Sequence, residues 1–207
     1  PLRIVDVTDF FQRCTFQPFH AKTVRAIKVH AALSKGFHEK LLNFAVSIGM
    51  GGIGYLEINE DMTYKGPIDK FIPDEMKKEI ADIAGLVPGD TIVFIAEKEE
   101  QAAFFAGQIR TELGNRLNLC EKQAYRFCFV NDFPMYAYDS EKKKVNFTHN
   151  PFSMPQGGME ALNTKDPLDI LAYQYDIVCN GVEISSGAVR NHNLNIMVKA
   201  FEIAGYT

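Results

Sequence analysis

A chain of 207 residues with 46% apolar and 23% charged residues has ordinary globular composition, long enough for one large domain or two small ones, which excludes a disordered or fibrous protein. Its formal net charge of −4 argues against a dedicated nucleic-acid binder, because such modules carry a basic excess that neutralises phosphates. Any contact with nucleic acid is therefore local, and DNA is not an expected partner.

Leu2 to Val7 is apolar and β-branched enough for a strand, and Thr23 to Val29 reads as another. Ser34 then caps a helix whose Phe37, Leu41, Leu42, Ala45 and Ile48 share one face, with Gly49 where a left-handed terminator belongs. Ile53 to Ile58 is a predicted strand. Pro73 opens a helix with Met76, Ile80 and Ile83 inward, stopped by Gly85. After the turn chemistry of Pro88-Gly89-Asp90, Thr91 to Ala96 is a strongly apolar strand, and Glu99 to Leu117 is a long helix burying Ala102, Phe105, Ala106, Ile109 and Leu113.

From Tyr125 the texture changes. Phe127 to Val130, Val145 to His149, Ala172 to Cys179 and Val182 to Gly187 read as strands without helices between them, which predicts a mainly antiparallel sheet. The charge run Glu141 to Lys144 reads as a solvated hairpin turn. Asn193 caps a last helix carrying Ile196, Met197, Ala200, Phe201 and Ala204, ended by Gly205. The expected class is α+β, with domains at residues 1–120 and 121–207.

Cys14, Cys120, Cys128 and Cys179 are scattered, with no CxxC pair and no His at ligand spacing, so neither a zinc site nor a disulfide framework is expected. No apolar run approaches the roughly 20 residues of a membrane helix, and the N-terminus has no signal-peptide pattern, so a soluble, cytoplasmic protein is expected. Asn146-Phe147-Thr148 matches a glycosylation sequon without that context. Gly49, Gly51 and Gly54 match G-x-G-x-x-G, but a predicted helix precedes them and a strand follows, the reverse of what a dinucleotide site needs.

Two polar clusters stand out in the second half. The first is His149-Asn150-Pro151-Phe152-Ser153, where a lone His beside Pro is often only a turn residue. The second runs from Tyr175 to His192, where Asp176 and Glu183 lie on neighbouring predicted strands joined by Asn180-Gly181, a dipeptide of tight hairpins. Paired carboxylates suit Mg²⁺ bridging to nucleotide phosphates. Arg190 can grip a ligand carboxylate with two parallel hydrogen bonds, or it can simply form a surface ion pair with Glu183. Small Ser185, Ser186 and Gly187 leave room for a ligand near the backbone.

Three ordered stretches, RFCFVNDFPMYAYD from Arg126, HNPFSMPQGG from His149 and YDIVCNGVEISSGAVRNH from Tyr175, resemble aspartyl-tRNA synthetase of the bacterial type, a class II enzyme. The upstream half, in IGMGGIGYLEI, KGPIDKFI and PGDTIVFIAEK, is similar to that family's GAD insertion domain. The resemblance implies a GAD-like insertion domain of strands and helices, followed by part of the class II antiparallel sheet. It implies that His149 and Arg190 contact aspartate, that Asp176 and Glu183 serve ATP and Mg²⁺, and that Ser186 and Gly187 support them. ATP and Mg²⁺ are then substrate and its metal, tRNA the acceptor, and the parent enzyme a homodimer.

This chain departs from many relatives in Asn150, where they have a second His, and in Ser185-Ser186-Gly187, where they have three glycines. It also lacks motifs 1, 2 and 3 and the anticodon-binding barrel. Without the two arginines of motifs 2 and 3, charge developing on the α-phosphate is not neutralised, so no catalytic residue is assigned and the chain alone is expected to be inactive. The alternatives are a non-catalytic module binding tRNA or a protein, and a free-standing aspartate- or adenylate-binding paralogue.

Overall fold

The computed structural model describes residues 2–206, which divide between Glu121 and Lys122 into two units. In the first, the chain runs β1 (Ile4–Asp6), α1 (Thr8–Gln12), β2 (Thr23–Val29), α2 (Lys35–Ser47), β3 (Gly54–Ile58), β4 (Tyr64–Lys65), α3 (Asp74–Ala84), β5 (Thr91–Glu97) and α4 (Glu99–Arg116). The five strands form one sheet in the order β1-β2-β5-β3-β4, every neighbouring pair antiparallel.

The apolar run of β5 is explained by its central place, with both faces covered. Ile92, Phe94 and Ala96 point into a core shared with Phe10 and Phe11 of α1 and Ile80 of α3. Val93 and Ile95 point the other way, onto Leu41 and Ala45 of α2 and Phe105, Ile109 and Leu113 of α4. Removing a ring such as the fully buried Phe94 costs about 3–5 kcal/mol.

Local signals set most helix ends as expected. Ser34 Oγ accepts the Phe37 N–H at 3.2 Å to cap α2, and Gly85 ends α3 in the left-handed region at φ 60°. The helix-then-strand order around Gly49 to Gly54 holds, and a Cβ on Gly54 would run into the Ile68 side chain.

Several expectations need correction. The first strand is shorter than Leu2 to Val7, because Asp6 Oδ1 accepts the Thr8 N–H at 2.8 Å and turns the chain into α1. Leu42 and Ile83 are exposed, each just off the buried stripe of its helix.

In the second unit the chain runs β6 (Phe127–Pro134), β7 (Tyr136–Asp139), β8 (Lys144–Phe147), α5 (Gly158–Thr164), β9 (Leu171–Cys179), β10 (Val182–Ala188) and α6 (Leu194–Ile203). β10-β9-β6 form an antiparallel sheet, and β7 and β8 a separate hairpin. Its turn holds the charge run, with Asp139 Oδ1 accepting the N–H groups of Glu141 and Lys142. The core gathers Met135, Tyr136, Leu162, Ile170, Ala172, Ala200 and Ala204. There the buried Tyr136 hydroxyl donates to the Ala200 carbonyl at 3.0 Å, and Asn193 caps α6.

The second half was expected to hold no helix between its strands. It holds α5, which buries Ala161 and Leu162 and opens on Gly157 and Gly158 at positive φ, so its start reads as a turn. The strand expected at Phe127 to Val130 runs on to Pro134, and the one expected at Val145 to His149 ends at Phe147. Both units mix helices with antiparallel sheets, which is the α+β class. Among the described residues no helix is long and apolar enough to cross a membrane.

Candidate functional site

The site is built on the β9–β10 hairpin. Asn180 and Gly181 both take positive φ, 49° and 82°, the pairing a two-residue hairpin turn requires. The Asn180 side chain also accepts the Arg126 N–H and donates to the Ala124 carbonyl, each at 2.9 Å. The turn is thereby tied to the chain entering β6.

Directly opposed residues of an antiparallel pair share a face. Ser186 stands opposite Asp176, and Glu183 opposite Val178, with a register shift between Glu183 and Ser185. Glu183 and Ser186 are three residues apart, so a regular strand would turn them to opposite faces. The extra residue, Ile184, restores them to one. Gln174, Asp176, Glu183 and Ser186 therefore lie on the same side of the sheet.

Gly187 is not gathered there. It stands opposite Tyr175 on the reverse face, and a Cβ added to it would lie 2.6 Å from the Tyr175 ring. The space it leaves is filled by that ring.

The His149 loop packs on β6, the other edge of the sheet. Phe133 of β6 stands opposite Ala172, past a register shift between Asn131 and Phe133. His149 packs edge-on against it, with ring centroids 5.1 Å apart. Beyond His149 the loop is fixed by polar contacts. Asn150 Oδ1 accepts the Phe152 N–H at 3.0 Å, and Gln174 Nε2 donates to the Asn150 carbonyl at 3.1 Å and to Ser153 Oγ at 2.9 Å.

Arg190 follows the end of β10. Its backbone bridges Ser153, and the next residue, Asn191, donates its N–H to the Phe152 carbonyl at 2.8 Å. The guanidinium lies 5.7 Å from the Phe152 ring centroid, a cation–π distance. Among the described residues Arg190 has no ion pair, with Glu183 or any other carboxylate. The buried Asn191 accepts the Asn193 N–H through Oδ1, while its Nδ2 has no partner.

Asp176 is half-buried and Glu183 exposed. No three His, Cys, Asp or Glu side chains converge on a metal-binding point among the described residues. A pair of carboxylates on one face does not make a closed cage, but it fits a hard cation that keeps waters and binds phosphate oxygens as well. Two hollows of about 410 Å³ each lie in the first unit, where Arg13 is paired with Glu79 and Lys78 with Asp82.

The sequence alone missed Gln174, Phe133 and the insertion at Ile184. Gln174 could have been found, because a polar residue two places before Asp176 on a strand shares its face. The insertion had no signal, since Val182-Glu183-Ile184-Ser185 alternates like a regular strand.

The family model for class II tRNA synthetases (D, K and N) matches residues 3–207, so the chain belongs to that family. The match runs through both units. More particularly, the chain is similar along its full length to aspartate–tRNA(Asp/Asn) ligases. It is 52% identical over 214 residues to that of Ehrlichia chaffeensis, 51% over 213 to that of Gluconobacter oxydans and 46% over 215 to that of Wolbachia pipientis. In each case it spans 36% of the relative's length.

Proposed function

We propose that the full-length protein containing this chain is an aspartate–tRNA ligase. It activates aspartate with ATP to aspartyl-adenylate and pyrophosphate, then passes the aspartyl group to tRNA. The observation that carries this reading is the shared face of Asp176, Glu183 and Ser186, with the His149 loop at one side and Arg190 free of any ion pair. The relatives' names support charging of both aspartate and asparagine tRNAs.

In this reading Arg190 binds the side-chain carboxylate of aspartate through its planar fork, and His149 contacts the same substrate. Asp176 and Glu183 would hold Mg²⁺ that neutralises the phosphates of ATP, with Ser186 directly opposite Asp176. Catalysis rests on positioning and charge neutralisation: the substrate carboxylate is aligned on the α-phosphate and the pyrophosphate departs.

The first unit is read as a GAD-like insertion, and the second as part of the class II catalytic sheet. A further reading, resting on the family resemblance, is that the 207-residue chain by itself does not exchange pyrophosphate. By family resemblance the full-length enzyme is a cytoplasmic homodimer.

The test is pyrophosphate exchange into ATP by the purified full-length protein, with aspartate, asparagine or lysine in turn, followed by charging of both tRNAs. Exchange with aspartate alone supports the reading. Exchange driven by asparagine or lysine instead would overturn it.

A further inference from the structure

Gln174 is 8% exposed and Ser153 fully buried, and nothing in the reaction outlined above uses either. Yet their hydrogen bond is a buried side-chain link between the middle strand of the sheet and the loop that carries His149. The Asn150 carbonyl can only accept, so the Gln174 amide must turn its NH₂ toward the loop, and the same NH₂ reaches Ser153 Oγ. Ser153 in turn is the backbone neighbour of Arg190. Gln174 itself is opposite Ala188 and shares the face of Asp176. One buried amide therefore connects the loop of His149, the backbone at Arg190 and the strand of Asp176.

We infer that Gln174 is a positioning residue for the amino-acid half of the site, holding His149 and Arg190 at a fixed spacing. The inference rests on the proposed aspartate chemistry. It predicts a selective effect. Asp176 and Glu183 are set by backbone register, which the Gln174 side chain does not determine, so the nucleotide half should be indifferent to its loss. The loop and Arg190 should not, because two donors to the loop disappear from a buried position where water does not replace them.

The experiment compares the full-length wild type with Gln174→Met, which keeps the length of the side chain and removes both donors, and with Ser153→Ala, which removes only the 2.9 Å bond. Aspartate-dependent pyrophosphate exchange is measured over ranges of aspartate and of ATP. The expected result is a rise of about tenfold in KM for aspartate in Gln174→Met, a smaller rise in Ser153→Ala, and KM for ATP within about twofold of wild type in both. If Gln174→Met does not fold, Ser153→Ala carries the test. An unchanged aspartate KM in a folded Gln174→Met, or equal rises in both KM values, would overturn the positioning role while leaving the proposed function standing. A wild type without aspartate-dependent exchange would overturn both, since there would be no aspartate to position.

Discussion

Ser186 stands opposite Asp176, and so shares a face with Glu183, only because Ile184 interrupts the register of β10, whereas Glu183 is set opposite Val178 by the Asn180-Gly181 turn. Two carboxylates on one face repel each other, and neither is tied to a cation within the described chain. Natural structures keep such an arrangement for binding more readily than for stability.

Asp176→Asn and Glu183→Gln should therefore separate binding from folding. In the full-length enzyme each substitution is expected to raise KM for the ATP–Mg²⁺ complex about tenfold or more. The unfolding free energy of the same proteins should move by no more than about 0.5 kcal/mol, as for surface sites without partners. A clear loss of stability with unchanged ATP kinetics would make these carboxylates structural.

A different carboxylate is structural. Asp90 has its side chain fully buried and binds His30 Nδ1 at 2.8 Å, the Val87 N–H at 2.9 Å and Lys28 Nζ at 3.1 Å. Burial pushes its carboxyl up, but those hydrogen bonds and the Lys28 charge outweigh burial and hold it below its usual range. Its folded pKa is thus depressed, so its contribution is fully present above the ordinary carboxylate value of about 3.9 and is lost as pH falls through the folded value. Asp90→Asn should cost about 1.5–3 kcal/mol at pH 7, and the gap to wild type should close in strong acid. Urea unfolding at both pH values checks this, and equal stability at pH 7 would contradict it.

Burial also pushes the Cys14 thiol up to about 11, where little thiolate exists at pH 8. Cys120 and Cys128 are exposed. Iodoacetamide at pH 8 should modify those two quickly and reach Cys14 only after unfolding, as read by peptide mass spectrometry. Labelling of Cys14 as fast as Cys120 would contradict its placement in the core.

What the sequence disclosed follows from how far each signal extends along the chain. The apolar run of β5, the caps of α2 and α6 and the Asn180-Gly181 turn are local, so they were legible. The five residues of α1 are too few for a helical period to register, and Gly157-Gly158 disguises the start of α5. The polar residues His149, Asp176, Glu183 and Arg190 stand out because strands do not demand them. Gln174 and Ile184 act through pairing across strands. No stretch of chain taken alone reveals which residue will stand opposite another, so their part in the site was visible only in the fold.

The account depends most on Arg190 meeting a substrate carboxylate, and the guanidinium stacked near Phe152 without an ion pair leaves its fork free to do so. The measurement is aspartate-dependent pyrophosphate exchange by full-length wild type and Arg190→Lys, with melting temperature recorded for both. Lysine keeps the charge but loses the fork, and a hydrogen bond to a charged group is worth about 1.5–3 kcal/mol. The predicted result is a loss of about ten- to two-hundredfold in kcat/KM for aspartate, with the melting temperature unchanged. Wild-type kcat and KM for aspartate in Arg190→Lys would contradict the account and remove Arg190 from the site.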